Sequence, residues 1–286
     1  MSDATRLGGV PQTLLWTLHN RAREAMRADA WLYDPEAVRL YHAIDFDYEA
    51  HFRRPDASHA VRSLMFDEAL RPWLAAHPGG TVVELGCGLE TQFQRCDDGR
   101  VNWLCVDLPE TLAVRERLLP PLPRCRHLAL SALDTRWIDA VDAGRGVFVS
   151  AQGLFMYFDE SELRRLFCAI VDAFPGAELM FDVIPRWFSR KTLRGLQLTP
   201  HYRAPLMPWG VDRDEIEPLL RSWTPRLASV HEEPYRRVRG FAGALMPMLA
   251  PLPWVGRLLP AIVRVRVADR AAAACAATAL IEQPRR

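Results

Sequence analysis

The chain has 286 residues, 49% of them hydrophobic and 25% charged, which is ordinary for a globular protein and enough to bury the core of one sizeable α/β domain with additions. A formal charge of +1 excludes a whole-molecule field that would draw in nucleic acid or an acidic surface. Lys191 is the only lysine, and the arginines are scattered along the chain rather than clustered.

Residues 12–30 place Leu14, Leu15, Leu18, Ala22, Ala25 and Met26 at helical spacing, with Arg21, Arg23 and Glu24 between them, and so predict an amphipathic helix. Asp34-Pro35 breaks or restarts it. A second helix is predicted over about 58–76, with Val61, Leu64, Met65, Ala69, Leu70 and Trp73 on its apolar side, stopped by Pro78-Gly79-Gly80. Because no Gly/Ser-rich linker follows, residues 1–80 read as a helical N-terminal cover laid against a later core.

From Thr81 the texture changes to short apolar runs separated by helices, the pattern of a parallel sheet with crossovers. Strands are predicted at 81–85, 102–106, 126–130, 147–151 and 177–182, with helices near 91–96, 109–118, 135–142 and 159–173. Asp159 and Glu162 make a capping box for the last of these. Residues 185–225, rich in Pro, Trp and Arg and then helical, suit an inserted lid. Two late β-like runs, 228–234 and 277–282, are expected to complete the sheet edge. The apolar stretch 241–263 is long enough to span a bilayer, but Pro247, Pro251, Pro253, Pro260 and Arg257 argue for a cap or substrate-lining segment instead.

The chemistry gathers at the first strand, which ends in Glu84-Leu85-Gly86-Cys87-Gly88. Glycines in such a turn let the backbone approach a bound small molecule closely. Nineteen residues beyond Gly88, after the second strand, stands Asp107, an acid placed to take both hydroxyls of a ribose. This half-motif also serves nicotinamide dinucleotides, but their fingerprint carries a third glycine where this chain has Thr91. The pattern therefore favours a nucleoside without a pyrophosphate, S-adenosylmethionine, with Glu84 and an upstream arginine meeting its charged amino-acid end. No H-E-x-x-H, C-x-x-C, G-x-S-x-G or G-x-x-x-x-G-K motif is present, so no metal site, hydrolase elbow or phosphate loop is expected.

Thr13, Leu14-Leu15, Asn20-Arg21-Ala22, Asp34-Pro35, the run from Val83 to Thr91, Val106-Asp107-Leu108-Pro109-Glu110 and Gln152-Gly153-Leu154-Phe155-Met156-Tyr157 together resemble the leucine carboxyl methyltransferase superfamily, and within it the bacterial polyketide-type O-methyltransferases. The resemblance spans roughly residues 10–185, with Trp209-Gly210 a further echo. It implies a class I methyltransferase core over residues 81–286, with a Rossmann-like sheet of about seven strands. It also implies that Gly86, Cys87 and Gly88 wrap the methionine part of the cofactor, Asp107 and Leu108 hold the ribose, and Arg62 meets the carboxylate. Leu133 and Asp134 fall where the family contacts adenine, and Gln152 stands where many relatives carry Glu. Tyr157 is expected on the acceptor side, in a catalytic and substrate-facing place, with Tyr202 and Trp209 covering the substrate.

The expected reaction is methyl transfer to a carboxylate or hydroxyl of a small molecule, polyketide-like in kind. A nicotinamide-dependent oxidoreductase and a non-catalytic adenosylmethionine-binding module stand as alternatives, the second kept open by Gln152. Six cysteines without a C-x-x-C pair, and a polar stretch over residues 1–9 with no apolar region, point to the cytoplasm. The partner expected is a small molecule, with neither nucleic acid nor a membrane span. From Arg221 onward the chain is formally +7, which reads first as a solvated face.

Overall fold

In the computed structural model, which describes residues 13–52, 54–235 and 252–269 together with 239, 245 and 248, the expected parallel strands form in order: β1 (Thr81–Leu85), β2 (Asn102–Asp107), β3 (Cys125–Ala129), β4 (Val147–Ala151) and β5 (Glu178–Val183). β1 and β4 are buried along their whole length, which is why they read as unbroken apolar runs rather than alternating ones. Two further strands, β8 (Leu227–Pro234) and β9 (Ala261–Val267), complete a seven-stranded sheet in the order β3-β2-β1-β4-β5-β9-β8. β9 runs antiparallel to both of its neighbours. A separate hairpin pairs β6 (Gln197–Thr199) with β7 (Tyr202–Arg203).

β9 corrects the sequence reading, which placed its first residues in a capping segment. Its arginines hid it: Arg264 stands among valines and pairs across to Glu178 on β5 at 2.7 Å, so the charge is met at the sheet rather than in a lid. The expected run at 277–282 lies outside the described residues, as does nearly all of 241–251.

Helices cover both faces. α4 (Ser58–Ala76) lays Val61, Met65, Phe66, Leu70 and Trp73 against Val82, Trp103 and Phe148 on one face. On the other, α7 (Glu160–Ala173) and α9 (Ile216–Trp223) pack Phe167, Ile170, Leu220 and Trp223 onto Val83, Val149 and Phe181. The capping box at Asp159 is present, Glu162 accepting from the Asp159 backbone N–H at 3.1 Å. α5 (Gln92–Cys96) and α6 (Pro109–Leu118) make the first two crossovers, and residues 135–140 form a 3₁₀ turn where an α-helix was expected. The N-terminal cover, α1 (Thr13–Ala25), α2 (Pro35–Ala43) and α3 (Tyr48–His51), builds a third cluster around Leu15, Leu18, Leu40, Tyr48 and Phe52. α8 (Arg186–Leu193) and the hairpin follow β5, and Thr199 ties the hairpin to the cover by donating to the His51 carbonyl at 2.6 Å.

Cover and core are locked by buried ions. Arg21, read from the sequence as part of a polar face, is 1% exposed. It donates to Asp34 at 3.0 Å, Glu90 at 2.9 Å, Thr91 at 2.8 Å and the Leu89 carbonyl at 2.7 Å. Arg95, from α5, reaches Asp67 on α4 at 2.6 Å and both Asp34 and Glu90 at 2.8 Å. Burial alone would raise the Glu90 carboxyl, but Arg21 and Arg95 outweigh it and hold the group well below the usual carboxylate range. Its stabilising contribution is therefore present above about pH 4.3, the unfolded value, and is lost as pH falls through the lower folded one.

Removing one partner from such a knot strands the rest. Arg95→Ala is expected to lower the unfolding free energy by about 3–5 kcal/mol. Arg136→Ala, which breaks an exposed pair with Asp134, should leave the denaturation midpoint unchanged. Urea unfolding at neutral pH checks both.

Candidate active site

A cavity of about 650 Å³ opens where the parallel strands end, at the point where β1 is flanked by β2 on one side and β4 on the other. The turn after β1 forms one wall, with Gly86 at φ +65° and Gly88 at +45°. Four successive carbonyls of this turn face guanidinium groups. Arg115, on α6 and fully buried, lies 3.5 Å from the Cys87 oxygen, 2.9 Å from Gly88 and 2.8 Å from Glu90, while Arg21 takes Leu89. Sequence reasoning did not single out Arg115, Arg95 or Asp67; a charged residue inside an apolar helical pattern was the only sign available.

Asp107 closes the end of β2. One carboxylate oxygen accepts from the Gly88 N–H and the other from the Leu108 N–H, each at 2.7 Å, so the group is fixed at the cavity wall with lone pairs to spare. Leu108 and Cys87 line the same wall. Beyond β3 the lining residues are Ser131 and Ala132, not the expected Leu133 and Asp134. Leu133 packs against the core, and Asp134 caps the 3₁₀ turn and pairs with Arg136, the ordinary use of an aspartate one residue before a helix.

Glu84 borders the cavity, but its carboxyl turns along the sheet to accept from Trp103 Nε1 at 3.1 Å. Burial drives it well above the ordinary carboxylate range. Arg62 does bring a charge: burial pulls its basicity down, but Asp182, 3.0 Å away at the end of β5, more than restores it. Asp182 also accepts from the Gly153 N–H at 2.5 Å. Gln152 lines the cavity and stands 3.4 Å from Gln92 and 3.5 Å from Ser63.

Tyr157 lines the cavity, and burial pushes its phenol up to about 12. Trp16, Ile184, Trp187, Phe188 and Met207 make the rest of that side apolar and largely aromatic. The other two aromatics expected over the substrate stand elsewhere. Tyr202 is buried one layer behind, its ring 5.8 Å from Trp16 and 4.9 Å from Phe52. Trp209 is buried in the sheet core beside Trp223, and its backbone N–H donates to the carbonyl of Met156, a cavity-lining residue.

Among the described residues one group has metal-ligand spacing, Cys105, Cys125 and His127, which adjacent strands bring together without a sequence motif. Arg115 already sets a fixed cation against it, 3.5 Å from Cys105 Sγ and 3.4 Å from His127 Nε2.

The leucine carboxyl methyltransferase family model matches residues 15–171, more than half of the chain. The chain belongs to that family. Tetracenomycin polyketide synthesis O-methyltransferase TcmP of Streptomyces glaucescens is 30% identical to this leucine carboxyl methyltransferase family member over 276 residues, 91% of this chain and 98% of that protein. A crystal structure of a possible exported protein from Bordetella parapertussis shares the fold, with a TM-score of 0.53 at 13% identity over 94% of this chain and 100% of that one. As a family member the protein is an S-adenosylmethionine-dependent O-methyltransferase, and the nicotinamide and non-catalytic alternatives fall away. No helix among the described residues is long and apolar enough to cross a membrane.

Gly153 leaves little room for change. Its φ is +65°, and a Cβ there would come within 2.8 Å of Arg62 Nη1, which Asp182 holds in place. Gly153→Ala is expected to cost about 1–3 kcal/mol of stability. Thermal unfolding measures it, and a crystal structure of the variant should show Arg62 displaced.

Proposed function

We propose that this enzyme methylates a carboxylate on an aromatic, polyketide-like small molecule. The observation that carries the reading is a largely apolar, aromatic wall on the acceptor side of the cavity, where among the described residues Tyr157, His59 and Asp182 are each unsuited to take a proton. Tyr157 is held protonated by its raised value of about 12, burial pushes His59 down to about 3, and Asp182 is occupied by Arg62 and the Gly153 N–H. A phenol, with an ordinary pKa near 10, would need a base here; a carboxylate arrives ionised. The name of TcmP, an O-methyltransferase of polyketide synthesis, supports a polyketide-like acceptor, and the aromatic lining of the cavity supports an aromatic one.

S-adenosylmethionine supplies a methyl group on a positively charged sulfur. The residues at the strand ends fit it: Asp107, fixed at the cavity wall by the Gly88 and Leu108 N–H groups, would take the ribose hydroxyls, and the backbone of Gly86, Cys87 and Gly88 would follow the methionine chain. Leu108, Ser131 and Ala132 would bracket the adenine, and Arg62 with Gln152 would meet the amino-acid end. Tyr157 holds its proton and stands as a hydroxyl donor beside the acceptor. When a carboxylate meets a sulfonium, two opposite charges cancel in the product, so an apolar cavity that solvates ions poorly favours the transfer. Positioning by the walls does the remaining work.

Calorimetry with S-adenosylhomocysteine tests the cofactor assignment. Asp107→Asn should weaken binding by about tenfold or more. Asp134→Asn should leave it unchanged. The acceptor assignment is read from the pH profile. With a carboxylate acceptor kcat should stay level from about pH 6 to 9, whereas a phenol acceptor would make it climb toward its own pKa near 10. A rising profile would overturn the carboxylate reading while leaving the methyltransferase intact.

A further inference from the structure

His59 lines the cavity one helical turn before Arg62 on α4, so the two side chains leave the same face of the helix. Its ring is pinned from the cover. Asn20, buried in α1, sets its Nδ2 2.7 Å from His59 Nδ1, while Asn20 Oδ1 accepts from the Asp56 backbone N–H at 3.4 Å. The second bond orients the amide. With Oδ1 committed to an N–H donor, the group facing the histidine is the NH₂, which can only donate. His59 Nδ1 is therefore the acceptor, and a neutral imidazole with a bare Nδ1 carries its hydrogen on Nε2, on the ring edge turned away from Asn20.

We infer that His59 is a substrate-anchoring residue whose neutral Nε2–H holds one oxygen of the acceptor carboxylate while the other oxygen takes the methyl group. This rests on the carboxylate reading above and adds the contact that orients it. Neutrality is secured by the surroundings. Burial and then the nearby Arg62 and Arg21 disfavour a second ring proton, and they outweigh the opposite pull of Asp56 and Glu90. The consequence is chemical. A neutral donor orients a carboxylate without forming the ion pair that would draw charge off the attacking oxygen. In the transfer an O–C bond forms as the S–C bond breaks, with its electron pair passing to sulfur; no proton moves, and His59 keeps its hydrogen throughout.

Two measurements on the full-length protein saturated with S-adenosylhomocysteine test this. In ¹⁵N imidazole spectra the His59 ring should show a protonated Nε2 and a bare Nδ1, and should stay neutral down to about pH 5. A hydrogen on Nδ1, or titration near the ordinary value, overturns the proposal. Calorimetry then uses 2-naphthoate as the probe. His59→Phe should weaken its binding about tenfold, the worth of one lost hydrogen bond to a charged group. His59→Gln, whose amide NH₂ reaches the position of Nε2, should stay within about threefold of the parent. Unchanged S-adenosylhomocysteine affinity in both variants shows that they are folded. Equal 2-naphthoate affinity in the parent and His59→Phe would overturn the anchor alone. If the parent binds 2-naphthol but not 2-naphthoate, the carboxylate reading falls and the anchor falls with it.

Discussion

The buried ionic knot of Arg21, Asp34, Asp67, Glu90 and Arg95 sets the geometry on which the site depends. Two guanidinium groups and the carboxyls of Asp34 and Glu90 meet Thr91 at the junction of α1, α2 and the turn after β1, and Asp67 on α4 joins them through Arg95. Ions taken out of water rarely add net stability over a well-packed apolar equivalent, because desolvation consumes most of what their attraction returns. Their value here is positional. An apolar cluster at this junction could slide, whereas a guanidinium with four fixed acceptors holds α1 and the glycine turn in one register. The cavity lies between those two elements, so its width is set by the knot.

That placement gives the cavity two unlike ends. Toward β2 and β3 it is bordered by backbone, by the pinned Asp107 and by small side chains, a surface suited to a nucleoside. Toward the cover and the segment after β5 it becomes apolar and aromatic, with Trp16, Trp187 and Phe188 facing it. Arg62, Asp182 and Gly153 lie between, at the ends of α4, β5 and β4. Charged groups there are already matched to one another, so an ionic acceptor meets a neutral, preorganised surround rather than a competing ion.

The parts legible in the sequence are those governed by local periodicity and backbone chemistry. The 58–76 helix, the five parallel strands, the Asp159 capping box and the Gly-x-Gly turn followed by Asp107 were each readable from spacing alone. Burial of charge was not. Arg21 and Glu24 sit where an isolated helix would turn toward solvent, and only the packing of α2 and the glycine turn onto α1 explains their exposures of 1% and 4%. Arg115 and Arg95 were missed for the same reason. Tyr202 and Trp209 show a different limit: an aromatic in a lid-like segment says that something is covered, but which layer it faces is decided by strand pairing and loop path. Asp134 shows a third, since an aspartate ahead of a helix serves as a cap as readily as a ligand contact. His59 carried no sequence sign at all. Its tautomer depends on Asn20, which is 39 positions away.

The turn after β1 carries one more consequence. The oxygens of Cys87, Gly88, Leu89 and Glu90 are all drawn toward Arg115 and Arg21, so the negative ends of four consecutive peptide dipoles aim into the protein. The outward side of the loop is thereby stripped of the lone pairs that would repel an anion. A zwitterion can lie along it with its acidic end unopposed, on a bare ribbon of peptide whose polarity was settled before any ligand arrived.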